Sequence, residues 1–340
     1  MSRWSRAVGR TKALIGGRAI VFMYHRVAEP SIDPWQLAVS PARFETQVAM
    51  IARKRRVVPL AEISTRVRTG KSVRGLAAIT FDDGYADNAL IAHPVLERLK
   101  LPATYFVTTS ILDGKSRFWW DELEDVLLRR DALPSAFAPV DGSPELAFDL
   151  GEDAVLDEPR RLAIAGWNAS KPHPNRRTDV FHRVWSTLSA FSPRKRRGVL
   201  DALTEWAGPS DAPPIPTFDR SMLRELAKSD YADIGAHGVT HLALEPADPV
   251  TRGYEIGTSK STLEEILSKR VDGFAYPNGS YDTPTTHAVA SAGYRYAVTT
   301  SGIAIAGDDS PYELGRLHVG DWDVDRLARA IGGAMERSAG

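Results

Sequence analysis

A repeated alternation restricts the fold of this 340-residue chain more than any other feature: short apolar or β-branched runs are separated by amphipathic stretches of helical period. The runs fall at 19–25, 57–60, 77–82, 103–109, 233–237, 273–276, 296–300 and 314–319. Between them lie helix-period segments at 41–55, with Phe44, Val48 and Ile51 on one face, and at 87–100, 221–229, 258–269, 283–292 and 324–337. Near-continuous apolar strands alternating with helices predict a parallel sheet covered by helices. Seven or eight such units close into a barrel, whose functional residues gather at the C-terminal ends of the strands.

The alternation fails between about 113 and 218. That segment opens on Phe118-Trp119-Trp120-Asp121, has a helical pattern at 121–130, and passes through a polar stretch containing Pro and Gly. Two further helical patterns follow at 178–190 and 193–206, and the segment ends in the breaker Gly208-Pro209-Ser210-Asp211-Ala212-Pro213-Pro214. The expected organisation is a basic arm at 1–18, a barrel formed by 19–112 with 218–340, and an inserted helical lid or substrate-binding segment at 113–217.

Lys plus Arg equals Asp plus Glu at 43 each, so no net field argues for a nucleic-acid partner. With no cysteine in the chain, any metal site must be built from His and carboxylate. No apolar run approaches a membrane span, and the N-terminal sequence lacks a secretory pattern, so a cytoplasmic location is expected. Arg3, Arg6, Arg10, Lys12, Arg18 and Arg26 all precede the first acid, Glu29. Such an arm is a solvated tail or a peripheral contact with anionic headgroups.

Two stretches carry the chemistry. Thr80-Phe81-Asp82-Asp83-Gly84-Tyr85 places adjacent carboxylates at the end of an apolar strand, although Asp-Asp-Gly is also ordinary turn chemistry. His237-Gly238-Val239-Thr240-His241 supplies two imidazoles four residues apart. A helical zinc motif needs Glu where this chain has Gly238, so a loop in which the rings converge is expected. One carboxylate and two imidazoles form a three-ligand site with an open position, and the second carboxylate is free to act as a base. A third stretch, Phe274-Ala275-Tyr276-Pro277-Asn278-Gly279, is a turn able to present backbone N–H groups as an oxyanion hole.

In this order the three stretches resemble the first three motifs of the polysaccharide deacetylases, carbohydrate esterase family 4. Tyr24-His25-Arg26-Val27, Glu255 and Leu263-Glu264 resemble the same family, and the likeness spans about 19–110 and 218–320. It implies an α/β fold, a distorted (β/α)7 barrel. Asp82 would be the general base, and Asp83, His237 and His241 the ligands of one divalent metal, zinc before cobalt or nickel. The backbone near Asn278 would help hold the oxyanion, and Tyr276 and Pro277 would line the groove. Apart from the resemblance, Tyr85 and, in the inserted segment, Trp120 are expected to touch substrate, since aromatic faces stack on sugars.

The chain departs from the family pattern at three places. Gly238 replaces a Ser or Thr, Ala275 takes the slot of an Arg that orients the catalytic Asp, and Leu317-His318 only approximates the motif of the general acid. Arg316 is the expected substitute for the Arg. His318 is the expected acid, with Asp321 as its partner and His25 as the alternative from the first strand. The expected activity is removal of an N-acetyl group from a sugar or glycolipid precursor in cytoplasmic glycan biosynthesis, with oligomeric state open. The rival expectations are a hydrolase of amides in small nitrogen compounds and a glycan-binding module without activity.

Overall fold

The computed structural model describes residues 17–139, 143–210 and 212–338. The arm expected over 1–18 lies outside these residues except for its last two. The described chain divides into two compact units, one of residues up to Glu29 with Leu37–Gly114 and Thr217 onward, the other of Pro30–Gln36 with Lys115–Pro216.

The first unit is built on parallel strands β1 (Ile20–Tyr24), β2 (Arg56–Val57), β3 (Leu76–Phe81), β4 (Ala103–Val107), β5 (Ala232–Ala236), β6 (Gly273–Ala275), β7 (Tyr296–Val298) and β8 (Leu317–His318). Their order is β7-β6-β5-β4-β3-β1-β8, with β2 pairing beside β3. Every residue of β1, β3 and β4 is buried, as strands covered on both faces require. Leu317 pairs with Phe22 on one side, while Leu314, just upstream, bridges Val298 on the other. The sheet thereby curls round as the distorted β/α barrel implied by the alternation.

The register aligns the C-terminal ends. Tyr24 pairs with Phe81, Val107 with Ala236, and Ala236 with Phe274. Residues just past these positions therefore emerge at one mouth. Several helices of this unit start at an aspartate whose side chain accepts from the first turn: Asp219, Asp248, Asp282 and Asp323.

Three elements differ from the sequence expectation. The strand expected at 57–60 stops at Val57, and Leu60 opens the helix Leu60–Arg68 behind Pro59. The helix expected at 258–269 begins much earlier, as Pro249–Leu267, because the Asp248 cap and Pro249 start it and Gly253 and Gly257 do not break it. The helical pattern at 87–100 opens with a π-turn, Asn88–Ala92, before the α-helix His93–Arg98.

The second unit has its own apolar core, including Leu123, Leu127, Phe181, Val184, Leu188 and Leu200. Its main helices are Arg176–Ser189 and Pro193–Ala207. A shorter helix, Glu158–Ala165, and the antiparallel pair Ala136–Phe137 with Phe148–Asp149 occupy the stretch that reads as polar and irregular in the sequence. Fully buried Arg177 holds this unit together by donating to the carbonyls of Leu127, Arg130, Asp131, Asp153 and Ala154.

Candidate active site

Asp82 leaves β3 with its N–H on the Tyr24 carbonyl at 3.0 Å. Gly84 then donates back to the Asp82 carbonyl (3.0 Å), while the Asp83 carbonyl accepts from Thr108 (3.0 Å). This tight reversal puts Asp83 at φ +74°, a left-handed conformation that costs a residue with a Cβ on the order of 1 kcal/mol or more. Gly84 follows at φ +105°, where a Cβ would come within 3.1 Å of Ile111 and 3.2 Å of Val107. Both carboxylates are buried as a result.

Arg316 is fully buried and grips Asp82 with two parallel hydrogen bonds, Nη1 to Oδ1 and Nη2 to Oδ2, each 2.6 Å. Its Nε donates to the Thr299 carbonyl (3.0 Å), and Nη1 also reaches Thr80 Oγ1 (3.2 Å). Thr80 in turn donates to Phe22 O at 2.9 Å, tying β3 to β1 beneath the pair. Burial pushes the Asp82 pKa up, but the Arg316 charge, then His237 and the Arg316 hydrogen bonds, bring it below the ordinary value.

His237 follows β5 and is buried, and its Nδ1 donates to the Ala275 carbonyl at 2.8 Å. That bond fixes the tautomer and leaves the Nε2 lone pair free. His237 Nε2 lies 3.5 Å from Asp83 Oδ1, and His241 Nε2 lies 3.4 Å from the same oxygen. Asp83 Oδ1 is buried with no well-directed hydrogen-bond donor. Burial lowers the His237 pKa to about 4, so the ring is neutral near pH 7. Burial raises the Asp83 pKa, and His241, His25 and His237 outweigh it, holding the carboxyl well below the usual range.

The donor atoms of Asp83, His237 and His241 all lie within 4.8 Å of one another. A buried carboxylate oxygen with imidazole nitrogens of His237 and His241 3.5 and 3.4 Å from it fits a divalent ion of borderline softness. Three protein ligands leave an open position, as in catalytic zinc sites.

His318, at the end of β8, and His25, just past β1, meet edge to face with ring centroids 5.5 Å apart. His318 Nε2 and His25 Nδ1 are buried without hydrogen-bond partners. Burial, then the His25 charge, lowers the His318 pKa to about 4, against the raising effect of Asp82. The expected Asp321–His318 pair does not form. Asp321 accepts instead from Ser40 N (3.0 Å) and Ser40 Oγ (2.8 Å) and pairs with Arg43, because the chain turns at Gly320 toward the helix Pro41–Lys54.

The remaining expected contact residues divide. Asn278 is exposed at φ +56° at the mouth, and Pro277 is buried beside it. Tyr276 is fully buried with its hydroxyl on Tyr312 O (2.9 Å), and Tyr85 is fully buried with the Arg26 guanidinium 5.0 Å above its ring. Trp120 belongs to the second unit, buried and stacked on Phe118 at 4.4 Å. Thr80 was not anticipated as part of the site. Its signal is period two: Thr80 and Asp82 share a strand face.

The fold and the cluster at its mouth define a β/α-barrel protein with an Asp/His/His site of metal-ligand geometry beside an Arg-held aspartate. The family model described as polysaccharide deacetylase matches residues 69–130 and 199–297. The chain carries a polysaccharide deacetylase domain, and the activity of that family is hydrolytic deacetylation of carbohydrate. The matched residues include Asp82, Asp83, His237, His241 and Asn278, while His25, Arg316 and His318 lie outside them. No curated protein sequence matches the chain.

Solved structures with the same fold include the Streptococcus pyogenes deacetylase PplD in complex with acetate. It is 16% identical with a TM-score of 0.56, over 92% of this chain and 98% of that one. IcaB from Ammonifex degensii is 16% identical with a TM-score of 0.55, over 94% and 98%. A de-N-acetylase from Aggregatibacter actinomycetemcomitans is 13% identical with a TM-score of 0.53, over 92% and 99%.

Proposed function

We propose that this protein is a metal-dependent hydrolase that removes an N-acetyl group from a sugar. The observation that carries the reading is the juxtaposition at one barrel mouth of the Asp83/His237/His241 donor set with Asp82 held in a two-pronged grip by Arg316. The likeness to a de-N-acetylase supports N- rather than O-deacetylation.

Asp83, His237 and His241 would hold one divalent ion, zinc in preference to cobalt or nickel. When bound, such an ion supplies Lewis acidity, polarising an acyl oxygen and making water more acidic. Asp82 accepts the proton of the attacking water; Arg316 keeps the Asp82 carboxylate ionised and fixed in plane while it does so. The backbone at Asn278 would donate its N–H to the developing oxyanion. His318 delivers a proton from Nε2 to the leaving amine, with His25 packed against its ring. Amine expulsion requires that proton; burial and His25 keep the ring neutral near pH 7 in the free protein, so the substrate complex must raise the His318 pKa, the direction in which Asp82 already pulls it.

The substrate we propose is an N-acetylated precursor of glycan synthesis acted on in the cytoplasm. Acetate release is measured from chitin oligomers, nucleotide-linked and lipid-linked N-acetyl sugars, with and without added zinc. The reading requires zinc-dependent release that Asp82→Asn abolishes. Release that proceeds in Asp82→Asn refutes the assignment of the base, and faster turnover of polymeric chitin than of any precursor refutes the substrate class.

A further inference from the structure

We infer that Glu255 is a positioning residue for the metal ligands, fixing the loop that carries both imidazoles, a role that rests on the Asp83/His237/His241 reading. His237 is itself anchored at the end of β5, its N–H on Val107 O (3.0 Å) and its ring on Ala275 O (2.8 Å). His241 lies four residues on, beyond any strand or helix, at φ +57°. Its ring position therefore depends on what holds residues 238–240.

One edge of that loop is held by backbone: the carbonyls of Gly238 and Val239 accept from Thr109 N (3.1 Å) and Ser110 N (2.9 Å). The other edge is held by a single carboxylate. Glu255 comes from the middle of the helix Pro249–Leu267 and is 1% exposed. Its Oε2 accepts from Val239 N at 2.7 Å and Thr240 N at 2.9 Å, and its Oε1 accepts from Thr240 Oγ1 at 2.6 Å. The short distances are those of charge-assisted bonds. Three donors from the metal loop satisfy this buried carboxylate, so its position and the loop's conformation depend on each other.

The same geometry accounts for Gly238, where the family resemblance leads one to expect Ser or Thr. A Cβ at that position would stand 3.0 Å from Glu255 Oε2, and φ there is +75°. A side chain directly after the first imidazole would crowd the carboxylate and strain the backbone. Thr240, two residues later, provides the hydroxyl instead, and Glu255 receives it.

The test is cobalt binding to the metal-stripped full chain, followed by the visible absorption bands of the ion and by calorimetric titration. The variants are Glu255→Ala, Glu255→Gln, Thr240→Val and, as reference, His241→Ala. Loss of a partner that orients metal ligands typically weakens metal affinity by about 10- to 100-fold. Such a loss is expected for Glu255→Ala, with altered cobalt bands. Glu255→Gln retains one acceptor oxygen and is expected to lie between Glu255→Ala and the parent. Thr240→Val, which removes only the hydroxyl bond, is expected to weaken binding about tenfold while the metal-free protein melts as the parent does, so it carries the test if Glu255→Ala does not fold. Parent-like affinity and bands in Thr240→Val and Glu255→Gln overturn the proposal and leave the metal site standing. A parent chain that binds no cobalt overturns the metal-site reading, and this inference with it.

Discussion

Replacing Arg316 by Met should reveal how much the chain depends on the buried charge pair at its centre. Both partners are inside the protein, Arg316 at 0% and Asp82 at 2% exposure, so neither charge can turn to water when the other is removed. Breaking such a pair from one side costs about 3–5 kcal/mol. The lost bond to Thr299 O adds about 1 kcal/mol. Asp82→Asn leaves the guanidinium unpaired and should cost about 3 kcal/mol. The double variant contains no buried charge at this position and should lose only the hydrogen bonds, about 2 kcal/mol.

The cycle, measured by urea unfolding of metal-free protein at pH 7, should therefore show a coupling of at least about 2 kcal/mol. The cost of Arg316→Met should also depend on pH. Without Arg316, burial raises the Asp82 pKa above its unfolded value near 4. The protonated acid is then tolerated at low pH, and stability is lost as pH rises through the raised value. The gap to the parent should widen from pH 4 to pH 7. Single-variant costs that add within about 0.5 kcal/mol, or a gap independent of pH, would refute the reasoning.

Other outcomes follow from the same geometry. Burial lowers the His318 pKa from the ordinary 6.5 to about 4, so its contribution to stability is complete above the unfolded value and fades as pH falls toward 4. A His318→Gln variant should accordingly lose less stability than the parent between pH 6.5 and 4 in acid titrations followed by circular dichroism. Arg177→Met strips five carbonyls in the second unit of their donor and should cost about 3 kcal/mol or more. Trp35, Trp119, Trp120, Trp167, Trp185 and Trp206 all lie in that unit, so tryptophan fluorescence on urea unfolding measures the loss. Gly84→Ala should impair folding, since the methyl meets Ile111 and Val107 at a φ of +105°; expression as stable as the parent would contradict that steric argument.

Much of the barrel was legible because its signals are local. Near-continuous apolar strands such as Leu76–Phe81 and the helical periods between them announce themselves within a few residues. The carboxylates and imidazoles were legible for the same reason: each pair is contiguous or four apart, next to a strand end. What links the pairs is long-range. Arg316 meets Asp82 across 234 residues; the family resemblance suggested that meeting, and nothing local to either position encodes it. Asp321 shows the opposite failure, since sequence proximity to His318 suggested a partnership, and Ser40, far away in sequence, takes the carboxylate. In the second unit, short elements such as Ala136–Phe137 are stabilised by packing on Phe148 and Trp206 rather than by propensity, so the sequence there reads as irregular.

Acetate release from a chitin oligomer, run alongside metal analysis of the same samples, tests the central claim most directly. The parent chain, stripped and given one equivalent of zinc, should release acetate; Asp82→Asn should hold the same single ion and release none, and His237→Ala should hold none. Turnover that survives both complete chelation and Asp82→Asn would contradict the account.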